Sequence, residues 1–211
     1  MGKNQTEILA AVADYYSAKL AKHGATPRGV DWNGKESQML RFEQLTKIIR
    51  QMQGFSLNDL GCGYGALLDY LHDRYKNFVY NGCDVSAEMI NAAQSRYTAF
   101  SEVNFFVAAV PPEKADYGIA SGIFNVRLGY NDSEWLNYFE TTLDALDQTS
   151  QLGFAFNCLT TYSDRGRKHD YLYYADPYYL FNLCKNKYSR NVALLHDYGL
   201  YEFTILVRKE I

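Results

Sequence analysis

The chain has 211 residues and a formal net charge of -3, a length that at roughly 150 residues per domain suits one compact domain with a terminal extension. Apolar residues at 47% and charged ones at 21% exclude a disordered chain, and the acidic balance leaves no global positive field for a nucleic-acid backbone. No apolar run approaches the ~18 residues that span a bilayer, and Asn4, Gln5, Glu7 and Asp14 stand where a signal peptide would be apolar, so a cytoplasmic protein without membrane contact is expected.

In chain order, Ile8, Leu9, Val12, Tyr15, Tyr16 and Leu20 recur at helical spacing up to His23-Gly24 and predict a first helix. Gly24 to Gly34 holds three glycines and a proline and reads as a loop with no regular element. Leu40, Leu45, Ile48 and Ile49 predict a second amphipathic helix over 37–53. From Phe55 onward short apolar runs alternate with helical segments, the pattern of βαβ units and a largely parallel sheet. Strands are expected near 55–60, 78–83, 103–108, 116–121 and 152–158, and helices near 64–75, 86–98, 132–147 and 177–186. Asn191 to His196 and Tyr201 to Arg208, flanking Asp197-Tyr198-Gly199-Leu200, predict a terminal antiparallel hairpin.

Cys62, Cys83, Cys158 and Cys184 stand 21, 75 and 26 residues apart, which indicates neither a zinc site nor a disulfide framework. The 19 tyrosines, many of them between Tyr162 and Tyr201, suit either half-buried packing or an aromatic-walled pocket.

The most informative segment runs from Phe55 through Asp59-Leu60-Gly61-Cys62-Gly63-Tyr64-Gly65 into a helix. Gly61, Gly63 and Gly65 let the backbone turn sharply and let a ligand approach without meeting a Cβ, and the next helix offers free N–H groups. Gly61-x-Gly63-x-x-Ala66 also satisfies the dinucleotide fingerprint. Asp59, two residues before the first glycine, discriminates: it would repel a diphosphate and welcome an ammonium group. Asp84, 21 residues after Gly63, ends the next strand where a carboxylate can accept hydrogen bonds from both ribose hydroxyls, and Ser86 is placed to cap the helix that follows.

The segment Asp59-Leu-Gly-Cys-Gly-Tyr-Gly resembles the first motif of class I S-adenosylmethionine-dependent methyltransferases, and Gly82-x-Asp84-x-Ser86-x-x-Met89 resembles their second. The resemblance implies S-adenosylmethionine as cofactor, with Val85 and Met89 around the adenine. Where many members place an adenine-binding aspartate after the third strand, this chain has Ala108-Ala-Val-Pro-Pro, so adenine recognition must come from backbone groups or elsewhere. Lys114-Ala-Asp-Tyr-Gly-Ile-Ala-Ser-Gly-Ile-Phe-Asn is again family-like, and the hairpin fits the family's reversed seventh strand. The implied fold is a Rossmann-like α/β domain: a seven-stranded, mostly parallel sheet with a reversed C-terminal strand and helices on both faces. Residues 1–53 are expected as N-terminal helices and a lid loop packing on a core formed by 54–211, one domain overall.

Asp176-Pro-Tyr-Tyr looks like the motif of amino-group methyltransferases but follows the fifth strand, and is read instead as an N-cap with proline at the first helical position. The cofactor must be covered to exclude water, and the N-terminal segment suits this: Arg28 and Arg41 can clamp a carboxylate, while Trp32 and the tyrosines offer faces to a sulfonium. Surface arginines and a packing tryptophan are the alternative. In an open sheet ligands sit beyond the carboxyl ends of the strands, which leaves Asn125, Tyr162 and His196 for the acceptor. His196 is the candidate base because imidazole titrates near neutrality; a histidine bonding its own turn is the alternative. The expected acceptor is a small molecule of anionic or sugar type; an RNA substrate using the basic stretch Arg165 to Arg190, or a non-catalytic cofactor-binding subunit, are the other readings.

Overall fold

A computed structural model describes residues 3–98 and 100–209; Met1, Gly2, Glu210 and Ile211, at the outer ends of the two expected segments, lie outside them. Helices α1 (Lys3–His23) and α2 (Lys35–Thr46) precede the strand–helix alternation. There follow β1 (Ser56–Leu60), α3 (Ala66–His72), β2 (Val79–Asp84), α4 (Ala87–Arg96), β3 (Val103–Val107) and β4 (Ala115–Ala120). The chain ends with α5 (Asp132–Thr149), β5 (Ser150–Leu159), α6 (Pro177–Lys187), β6 (Asn191–Leu195) and β7 (Glu202–Arg208). The seven strands form one sheet in the order β3-β2-β1-β4-β5-β7-β6. β7 runs antiparallel between β5 and β6 and is the single reversed strand.

Alternation along the strands sorts the core into two layers, because successive side chains point to opposite faces. On β5 and β7, Phe154, Phe156, Phe203, Ile205 and Val207 pack with Ile8 and Val12 of α1, Trp135, Phe139 and Leu143 of α5, and Leu180 of α6. Ala155 and Leu206 face the other way, onto a layer built from Phe42 and Leu45 of α2 and Leu67, Leu68 and Leu71 of α3. Local chemistry sets the helix starts. Ser86 Oγ accepts from Met89 N at 3.1 Å, Asn131 forms a capping box with Glu134, and Asp176 accepts from Tyr178 N with Pro177 in the first turn. Asp176 is thus a helix cap, as its sequence context indicated.

Two expectations need correction. Helix α2 stops at Thr46 rather than near 53, because Lys47, Ile48 and Ile49 donate to carbonyls three residues back and tighten the chain into turns. Ile48 and Ile49 are buried, but by that turn and not by a helix face. Within the loop 24–34, Pro27–Val30 forms one turn of 3-10 helix, set by proline's fixed φ and closed by Asp31 in the left-handed region at φ 62°. Cys62, Cys83, Cys158 and Cys184 are buried free thiols, and among the described residues no helix is long and apolar enough to cross a membrane.

Strand order reverses between β1 and β4, so their carboxyl ends diverge and open a crevice there. The site lies in it.

Candidate functional site

β1 delivers Asp59 and Leu60 to the crevice, and the chain then turns at Gly61 (φ 75°), Gly63 (φ 55°) and Gly65 (φ 82°). Gly61 N and Cys62 N both donate to the Cys83 carbonyl, at 2.7 and 3.0 Å, tying the loop to the end of β2. Asp84 does the rest: its Oδ2 accepts from Gly63 N and its Oδ1 from Ser86 N, each at 2.9 Å. The glycines differ in role. A Cβ on Gly61 would sit 2.1 Å from Ile123 Cγ2, and one on Gly63 3.0 Å from Val30 Cγ1, both at the cavity wall. Gly65 does not line the cavity; it caps α3, and Tyr97 packs where its Cβ would be.

The cavity holds about 410 Å³ and is lined by Asp59, Gly61, Cys62, Gly63, Asp84, Val85 and Met89 among others. Burial pushes the Asp59 carboxyl up to about 7, with Asp84 adding to the shift and the Tyr80 hydroxyl, donating to Asp59 Oδ2 at 2.5 Å, pulling against it. Burial also raises Asp84 and the Cys62 thiol. Among the described residues, no lysine, arginine or histidine lines this cavity. Its third acid, Asp144, is neutralised from outside by Lys187 at 2.7 Å. Ser121 lines the same space, and its Oγ is buried with no hydrogen-bond partner among the described residues.

The N-terminal segment closes the crevice. Leu9, Val12, Tyr16, Val30, Trp32, Gln38 and Phe42 all line the cavity, and Ser17 Oγ reaches Ser86 Oγ and Glu88 Oε2, each at 2.9 Å. Asp31 accepts from Tyr15 at 2.7 Å and from Lys19 at 2.6 Å, which folds the loop back on α1. Trp32 packs against Gly122, where a Cβ would be 2.4 Å from the indole. The two arginines expected beside it are placed otherwise. Arg28 is exposed and does not line this cavity. Arg41 is buried and committed to Glu202, Nε to Oε2 at 2.8 Å and Nη2 to Oε1 at 2.6 Å, with its guanidinium 3.9 Å from the Trp32 ring. Glu202 also accepts from Asn157 Nδ2 at 2.7 Å, and Asn157 Oδ1 from Gly122 N at 2.8 Å. The arginine fork therefore holds the wall of the site through an internal carboxylate, and its Nη1 also donates to the Ser37 carbonyl at 2.8 Å. Glu202 went unnoticed in the sequence because an acid 161 residues from its partner carries no local signal.

A second cavity of about 620 Å³ adjoins the first, and Tyr16, Val30, Trp32 and Gly122 line both. Asn125 lines it while its Oδ1 accepts from Leu159 N at 3.0 Å, joining the ends of β4 and β5. His196 and Tyr162 line neither cavity. They are exposed, their rings 5.9 Å apart, because β6 is the sheet edge and its carboxyl end opens outward. Of the hairpin residues, Tyr201 lines the second cavity, whereas Tyr198 turns inward with its hydroxyl 3.1 Å from Thr204 Oγ1.

A family model described as a methyltransferase domain matches residues 58–149. Rv1506c of Mycobacterium tuberculosis, which bears a methyltransferase name, is 58% identical over 163 residues, 77% of this chain and 98% of that one. Among solved structures, the magnesium protoporphyrin IX methyltransferase of Synechocystis PCC 6803 with bound S-adenosylmethionine superposes at a TM-score of 0.66, with 14% identity, over 100% of this chain and 99% of that one. The N-methyltransferase NodS of Bradyrhizobium japonicum WM9, in complex with S-adenosyl-L-homocysteine, reaches 0.65 at 14% identity, covering 94% and 98%.

Proposed function

The chain belongs to the methyltransferase family, and from that premise we propose that it transfers the methyl group of S-adenosylmethionine to a small-molecule acceptor. One observation carries the choice of cofactor: of the three acids in the glycine-loop cavity only Asp144 has an ion-pair partner, which leaves Asp59 and Asp84 without a cation among the described lining residues. A dinucleotide would bring its diphosphate into that field with nothing to neutralise it, whereas a ligand with an ammonium and a sulfonium is favoured there. The orphaned Ser121 hydroxyl and the space that a Cβ at Gly63 would enter agree with a bound group of this kind.

In this reading Asp59 and the glycine-loop amides hold the amino-acid end, and Asp84 holds the ribose. Val85, Met89 and the Ala108–Val110 backbone flank the adenine, which accounts for the missing third-motif aspartate. The bound cofactor supplies a methyl group already activated on a positively charged sulfur. The protein's task is alignment and exclusion of water. Tyr16, Val30, Trp32 and Gly122, shared by both cavities, form the junction where acceptor and methyl meet. Burial pushes the Tyr16 phenol well up, so it stays protonated. The N-terminal segment 1–53 serves as the cover and the second cavity as the acceptor pocket.

Calorimetry tests the assignment: S-adenosylmethionine and S-adenosylhomocysteine bind and NAD does not, and Gly63→Val abolishes the binding. Comparable affinity for NAD would overturn it.

A further inference from the structure

The two cavities differ in chemistry. The first is walled mainly by apolar side chains. The second is walled mainly by polar ones, Asn33, Asn125, Ser163, Arg167 and His169 among them, with the rings of Trp32, Tyr171, Tyr174 and Tyr201 between. Among its described lining residues the charged side chains are ion-paired with one exception. Asp31 is paired with Lys19, and Arg41 with Glu202. Arg167 lines the same space with no ion-pair partner among the described residues; its guanidinium stands 5.6 Å from the Tyr201 ring. The segment that carries it is pinned at its base. Tyr173 N donates to the Asn125 carbonyl at 2.7 Å, Ala175 N to Leu159 at 2.8 Å, and the Arg127 and Leu128 amides to Tyr171, both at 3.0 Å. The loop tip is tied too, with His169 N donating to the Tyr174 hydroxyl at 3.0 Å.

We propose that the second cavity selects an acceptor built as a hydroxylated ring bearing one anionic group, a sugar phosphate or a sugar acid, and that Arg167 is the residue that reads the anion. The inference rests on the methyltransferase reading above and deepens it. Aromatic faces pack on the C–H faces of such a ring, and the side-chain amides of Asn33 and Asn125 can meet its hydroxyls. A flat apolar acid would offer no partner to the Asn33 and Asn125 amide groups, which is costly once they are desolvated. The guanidinium supplies a fork that phosphate and carboxylate both fit.

The test uses the full chain with ligand-observed NMR. The probes are glucose 1-phosphate, glucuronic acid, methyl glucoside and benzoate, each with and without S-adenosylhomocysteine. One or both anionic sugars bind more tightly than methyl glucoside and benzoate, and the stronger of the two tells phosphate from carboxylate. Arg167→Gln weakens that binding about tenfold or more while leaving methyl glucoside unchanged, the scale of a lost charge-assisted hydrogen bond. Arg165→Gln, on the same turn but outside the cavity, changes neither. Preference for benzoate, anionic-sugar binding that Arg167→Gln does not alter, or S-adenosylhomocysteine binding with no anionic sugar bound overturns the proposal. Failure of S-adenosylhomocysteine itself to bind strikes instead at the cofactor reading.

Discussion

Replacing Asp59 with asparagine isolates one buried charge. In the folded chain its carboxyl is pushed from 3.8 to about 7, roughly 3 pKa units at about 1.4 kcal/mol each, or on the order of 4 kcal/mol. The native state therefore holds a proton between about pH 4 and pH 7 that the unfolded state has released. Stability falls as pH rises through that window and levels off above it. Asp59→Asn is nearly isosteric, can still accept from Tyr80, and removes the titration. Urea unfolding across the window should show wild-type stability declining relative to the variant by a few kcal/mol between the two ends. Asp84 titrates with the same sign in both proteins, so the difference curve reports Asp59. The same group links pH to binding. An ionised Asp59 favours a cationic ligand, so S-adenosylmethionine affinity should rise through about pH 7 in the wild type and stay flat and weaker in the variant. Parallel stability curves for the two proteins would refute the reasoning, because they would mean that Asp59 ionises in the fold as it does in water.

Breaking the buried Arg41–Glu202 pair by Glu202→Gln or Arg41→Ala should cost about 3–5 kcal/mol in denaturant unfolding, since a desolvated charge is left behind; replacing both with apolar residues of similar size should recover most of that. Hydrogen exchange in α1 and the loop 24–34 should slow when S-adenosylmethionine is added, as a cover gains contacts on closing, and unchanged exchange would make that segment a fixed scaffold. His196→Ala and Tyr162→Phe should leave turnover within a few-fold of wild type; a loss of ~100-fold or more at His196, the scale of a missing general base, would restore the catalytic role that its place outside both cavities argues against.

The glycine-loop cavity was legible because its signals are local. Gly61 and Gly63 are required where the backbone takes positive φ beside a wall, Asp84 sits at the end of a strand, and Ser86 caps the next helix. All of them lie within one βαβ unit, so spacing along the chain converts directly into spacing in the crevice. The strand–helix alternation and the terminal hairpin followed from periodicity and a short turn for the same reason, and the reversed seventh strand from the resemblance to the family. What only the tertiary structure decided were relations across long separations. Arg41 looked free until Glu202 came to it from the last strand, and Trp32 until it packed against Gly122. His196, so apt by type, stands on the edge strand, and Arg167, in an unremarkable basic turn, faces a cavity. Residue type tells what a side chain can do, but whether its charge is already spent depends on neighbours that folding alone brings within a few ångströms. Electrostatic and hydrogen-bond energies fall steeply with that distance, so the sequence determined the frame and the glycine loop, and packing determined which polar groups remain for a substrate.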